Sequence, residues 1–145
     1  MASDCPFCRI ASGDVPAAIV FQDDVCVAFL DDRPLFPGHC LLIPRAHYET
    51  LPELPPDSID PLFAIARRLC AAVEEGMEAE GSFLAINNRV SQSVPHLHIH
   101  VAPRRRKDGL RGFFWPRTRY ADSTDMERVR AALENAFQRA TPTPP

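Results

Sequence analysis

The sequence predicts an α+β fold, an antiparallel sheet with one long central helix and a C-terminal helix. Three observations predict it. Short apolar runs of strand type lie on both sides of a stretch with helical period. A second helical stretch closes the chain. Among fifteen prolines, those in 33–38 and 51–56 mark connections between these runs.

Taken in order, residues 18–21 and 25–30 flank Gln22-Asp23-Asp24, the pattern of a hairpin. Residues 40–43 form an apolar strand ended by Pro44. Leu62, Ile65, Ala66, Leu69, Val73 and Met77 recur at three- and four-residue steps, an amphipathic helix ending near Gly81. Residues 83–86 and 97–101 are two further strands joined by a polar loop. Thr124 and Glu127 can form a capping box ahead of Met126, Val129, Leu133 and Phe137, a final helix. Residues 1–140 read as a single domain, and Thr141-Pro142-Thr143-Pro144-Pro145 as a disordered tail.

Composition narrows the function. Sixteen basic against 19 acidic residues give a net charge of −3, which argues against general nucleic-acid binding. No apolar run approaches the ~20 residues a membrane span needs, and the first residues lack the pattern of a signal peptide. Five cysteines is an odd number; Cys26, Cys40 and Cys70 lie in apolar patterns and read as buried thiols. A reducing cytoplasm is the expected location.

The most informative stretch is Gln92-Ser93-Val94-Pro95-His96-Leu97-His98-Ile99-His100-Val101. Three of the five histidines alternate with aliphatic residues. On a strand this places the imidazoles on one face and Leu97, Ile99 and Val101 in the core. Imidazole is nucleophile, proton carrier and ligand near neutral pH, so the pattern points to chemistry on a polar substrate. The plainer alternative is a strand with satisfied or solvent-facing histidines.

His96-Leu97-His98-Ile99-His100-Val101-Ala102 resembles the signature of the histidine triad (HIT) superfamily. The opening segment 5–17, the block 28–39, Leu42-Ile43-Pro44-Arg45-Ala46-His47 and Ile86-Asn87-Asn88 resemble further family blocks in the same order. The likeness is to the bacterial-type members and the Hint and Fhit branches, over residues 4–105. It implies an α+β fold, a homodimer and a nucleoside phosphate substrate, with His98 attacking the α-phosphorus to give a nucleotidyl-histidine. His100 would bind phosphate oxygen, and His39 matches a fourth family histidine bordering the triad that starts at His96. Gln92 and Ser93 match a polar pair at the phosphate and leaving group. Asp31 matches a ribose ligand, and Asn87 an asparagine near the phosphates. Phe7, Ile10 and Phe29 fall where relatives line the base pocket; ordinary core packing explains them equally well.

Cys5 and Cys8 form one CxxC. Some family members hold a structural zinc with such a pair and two histidines, which here would be His47 and His96. Two alternatives stay open: a thiol–disulfide redox pair, and a catalytic zinc on His96 and His98. Arg104-Arg105-Arg106-Lys107 follows the histidine strand, either as a solvated loop or as a contact for a polyphosphate or partner subunit. Phe113-Phe114-Trp115-Pro116 is too apolar for a free loop, and packs on the core or reaches a partner's site.

The resemblance thus implies a zinc-bearing hydrolase of purine ribonucleotide conjugates, such as dinucleoside polyphosphates, phosphoramidates or acyl-nucleotides. No organic cofactor is expected, and neither nucleic acid nor membrane as partner. A transferase or phosphorylase using phosphate as acceptor is one alternative. A nucleotide-binding interaction module with little turnover is another.

Overall fold

A computed structural model describes residues 4–111 and 118–140. They fall into two units, one up to Asp108 and one from Gly109 on.

In the first unit a short helix, α1 (Pro6–Ser12), precedes the sheet. Pro6 suits its first turn, where an N–H has no partner, and Gly13 (φ 86) ends it by donating to the Ile10 carbonyl. The strands are β1 (Ile19–Gln22), β2 (Cys26–Leu30), β3 (Cys40–Pro44), β4 (Gly81–Ala85) and β5 (Ile99–Arg104). They form one antiparallel sheet in the order β1-β2-β3-β5-β4, so the fold is α+β as the alternation predicts. The β1–β2 turn is closed by Asp23, whose Oδ1 accepts from the N–H groups of Val25 and Cys26, both at 2.8 Å.

The central helix, α2, runs Pro56–Gly76. It starts one and a half turns before the periodic run because Pro56 suits a first turn, and it stops earlier than Gly81, which opens β4 instead. Its buried stripe is Leu62, Ala66, Leu69 and Val73.

Period two sorts the strand residues onto two faces. Cys26, Ala28, Cys40, Leu42, Leu97, Ile99 and Val101 share a core with the α2 stripe. Val27, Phe29, Leu41 and Ile43 face the other way, against Cys5, Phe7 and Ala11 from α1 and the segment before it. The histidines take this second face, with His100 opposite Leu41 across the β3–β5 ladder. Gly38 (φ 97) delivers the chain to His39; a Cβ there would sit 2.6 Å from Met77 Cγ.

In the second unit, α3 (Ser123–Ala140) is the expected final helix with a different cap. Asp122 Oδ1 accepts from Asp125 N–H at 2.8 Å, and Asp125 Oδ2 accepts from Ala121 N–H at 3.2 Å. Thr124 and Glu127 are therefore past the start, and Glu127 pairs with Arg130. The segment 113–116 and the tail 141–145 lie outside the described residues. Among the described residues no helix is long and apolar enough to cross a membrane.

Candidate active site and metal centre

His98 is buried, and its Nδ1 lies 2.8 Å from the His96 carbonyl oxygen. A carbonyl only accepts, so Nδ1 carries the proton and Nε2 keeps the ring's free lone pair. The ring meets two others, Phe7 at 5.2 Å and His100 at 4.9 Å between centroids.

His100 is set by a chain of hydrogen bonds that begins at the backbone. Leu35 N–H donates to His39 Nδ1 at 3.0 Å, so the proton of His39 must be on Nε2. That Nε2–H donates to His100 Nδ1 at 3.0 Å. His100 therefore carries its own proton on Nε2. Asp31 Oδ2 is 3.8 Å from His39 Nε2, while Oδ1 accepts from Arg33 N–H at 2.9 Å. Burial lowers the pKa of His39, with Asp31 opposing. Burial also pushes His100 down to about 4, helped by His98 and His39 and opposed by Asp31. Both rings are neutral at pH 7, as the chain of tautomers requires.

His98, His100 and Asp31 border a cavity of about 950 Å³. Phe7, Ile10 and Phe29 give it an apolar wall, and Asp31, Asp32, Arg33, Ser93, His98 and His100 its polar groups. Residues 15–18, Leu30, Leu41 and Val94 also line it; the sequence reading named none of these, nor Asp32 and Arg33, as a site residue, though most lie inside the blocks it singled out. His39 stands behind His100 and outside the lining. Gln92 and Asn87 are not in the lining either. Gln92 Oε1 accepts from Arg89 N–H and its Nε2 donates to the Glu49 carbonyl, at 2.8 and 2.6 Å. Asn87 Nδ2 donates to the Ser91 carbonyl at 3.2 Å. Both amides hold the 87–92 loop in shape.

The two cysteines of the CxxC meet the other two histidines, His47 and His96. His96 Nδ1 is 3.5 Å from both Cys5 Sγ and Cys8 Sγ, and His47 Nδ1 is 3.2 Å from Cys8 Sγ. All four donor atoms lie within 4.8 Å of one another. A tetrahedral zinc with ordinary bond lengths spaces sulfur and nitrogen by about 3.5 Å. His96 Nε2–H donates to the Pro44 carbonyl at 2.8 Å, which leaves Nδ1 as a lone pair aimed at the sulfurs. The donor set therefore fits zinc. Burial, then Cys5, pushes the Cys8 thiol up to about 11, a cost that a divalent cation offsets.

The basic run goes elsewhere. It begins with Arg104, at the opposite end of β5 from the histidines. Arg104 pairs with Asp108, Arg105 donates to the Met77 carbonyl, and Arg106 pairs with Glu80.

A family model described as HIT domain matches residues 12–107. The chain is 35% identical over 112 residues to the adenylylsulfatase HINT3 of Arabidopsis thaliana, covering 76% of this chain and 57% of that protein. Among solved structures it is similar to a HIT family member from Bacillus subtilis, with TM-score 0.82 and 30% identity over 91% of this chain and 96% of that one. It is also similar to a zinc-bound histidine triad family protein from Mycobacterium smegmatis, with TM-score 0.71 and 34% identity over 96% and 99% of the two chains.

Proposed function

The chain belongs to the HIT family, and we propose that it hydrolyses purine ribonucleotide conjugates at the α-phosphorus through a nucleotidyl intermediate on His98. The observation that carries the reading is the His98 ring itself. It borders an apolar cavity, its Nδ1–H is committed to the His96 carbonyl, and Nε2 is left as the nucleophile.

In this reading the base enters between Phe7, Ile10 and Phe29, and Asp31 accepts from the ribose hydroxyls. His98 Nε2 attacks phosphorus as the bond to the leaving group breaks. The proton that His100 carries on Nε2 is available to a phosphate oxygen or the leaving group, and His39 holds it there by occupying Nδ1. Ser93 supplies a further hydroxyl at the same place. Water then displaces the monophosphate from His98. Gln92 and Asn87 act through the loop they brace. Zinc, held by Cys5, Cys8, His47 and His96, would supply a structural anchor. The same reading includes a homodimer working in a reducing cytoplasm.

The test is monophosphate release from diadenosine tetraphosphate, adenosine phosphoramidate, adenylyl sulfate and the guanosine counterparts. Wild type and His98→Ala are compared, with and without added phosphate. Turnover in wild type that is lost in the variant is the expected result. Equal turnover in both proteins would contradict it, and nucleoside diphosphate formed with added phosphate would make the enzyme a phosphorylase.

A further inference from the structure

Phe7 lies between Cys5 and Cys8 on the first turn of α1, and it is buried. Its ring meets three others edge-on: His98 at 5.2 Å and 81°, Phe29 at 5.5 Å and 68°, and His96 at 6.0 Å and 74°. We propose that Phe7 is a positioning residue through which the Cys5–Cys8–His47–His96 centre holds the His98 ring in its attacking orientation. The inference rests on the proposed reading of His98 as nucleophile and of the four-residue centre as a metal site.

The argument starts from what a single hydrogen bond leaves undone. The His98 Nδ1–H bond to the His96 carbonyl fixes one atom of the ring, but the ring can still tilt about that axis. Tilting moves Nε2, the atom that must line up with phosphorus. Contact with the rings of Phe7 and His100, at 5.2 and 4.9 Å between centroids, restricts that freedom. His100 is itself braced through His39 to the backbone of Leu35. Phe7 has no such brace within its own helix, because seven residues are too few to hold a helix in water.

The two ends of α1 are instead tied from outside. Arg45 donates to the Ala11 carbonyl at one end and to the Asp23 carbonyl beyond it. At the other end the ties are Cys5 and Cys8, on either side of Phe7, against His96 and His47. A metal ion on those four atoms locks the backbone on both sides of Phe7. Its loss frees the turn that carries the aromatic ring and leaves the Ala11 end in place. The metal centre thus acts on the rate through a phenyl ring and takes no part in bond making.

The test uses the full-length protein with its zinc content measured, as wild type, Phe7→Leu and Phe7→Tyr, with His98→Ala as control. Phe7→Leu is expected to keep its zinc and to lose about tenfold or more in kcat with a smaller change in KM, since misalignment acts on the transition state. Phe7→Tyr, which keeps the ring, recovers most of the rate. A Phe7→Leu protein with wild-type kcat and only a raised KM overturns the proposal, because Phe7 is then merely a wall of the cavity. A second readout needs no variant at Phe7. The nuclear Overhauser contact between the Phe7 and His98 ring protons is expected in the zinc-loaded protein, to vanish on chelation and to return with zinc. Its persistence after zinc removal overturns the proposal. Turnover that survives in His98→Ala, or a wild type that binds no zinc, overturns the underlying reading and the inference with it.

Discussion

His96 and His39 are both buried histidines in clusters of close donor atoms, one with Cys5, Cys8 and His47 and the other with Asp31 and His100. Spacing does not separate them, since the donor atoms of each cluster lie within 4.8 Å of one another. What separates them is the group facing the far nitrogen. At His96 that group is the Pro44 carbonyl, which takes the Nε2 proton and leaves Nδ1 bare for a cation. At His39 it is the Leu35 N–H, which forces the proton onto Nε2 and makes the ring a donor to His100. A cation on His39 Nε2 would need that proton moved to Nδ1, against an N–H. One backbone group at each ring therefore leaves His96 Nδ1 free to take a metal ion and makes His39 a proton donor to His100.

The largest effect that tests this contrast is on turnover. His100→Ala is expected to lose about 10²- to 10⁴-fold in kcat, the range for general acid–base groups, while zinc content stays at wild-type level. Zinc lost from that variant would break the separation. Cys5→Ala is expected to show the converse: zinc falls to background, and the melting temperature drops by about 10 °C or more. Metal analysis with a thermal melt decides it, and retained zinc would remove Cys5 from the ligand set.

A third prediction concerns pH. His100 falls from an ordinary 6.5 when unfolded to about 4 when folded, so in that interval the unfolded chain binds more protons than the folded one. Stability therefore rises with pH, and the share due to His100 is lost as pH falls from about 6.5 to about 4. That share is about 3 kcal/mol. Urea unfolding at pH 7 and pH 4.5 checks it, with a smaller pH difference expected in His100→Asn than in wild type. The smallest effect is expected at the far end of β5. Arg106 is exposed and pairs with an exposed Glu80, so Arg106→Ala is expected to change stability by less than about 0.5 kcal/mol and to leave diadenosine tetraphosphate turnover unchanged.

The same contrast shows what the sequence could and could not carry. Alternation at 96–101 was enough to put Leu97, Ile99 and Val101 in the core and the histidines on the opposite face, because extended chain has only two faces; the strand itself starts at Ile99, two residues later than the expected 97. The helix α1 has no counterpart in the sequence reading, because seven residues give too little period to read. Thr124 and Glu127 had the form of a capping box, but Asp122 and Asp125 two residues earlier have carboxylates that make the cap. Gln92 and Asn87 were placed by resemblance at the phosphates. In the structure their amides are spent on Glu49, Arg89 and Ser91, neighbours that folding brings together or holds in the loop. The direction of each histidine proton was also out of reach, since it depends on carbonyls and amides distant in sequence.

The central claim is that His98 Nε2 forms a bond to phosphorus. Mass analysis of the protein mixed with a turned-over nucleotide and stopped in alkali, where a phosphorus–nitrogen bond survives, tests it most directly. The account predicts a nucleoside monophosphate on the peptide containing His98, which forms within one turnover, decays with product release and is absent from His98→Ala. Full turnover with no adduct, or an adduct on another residue, would contradict it.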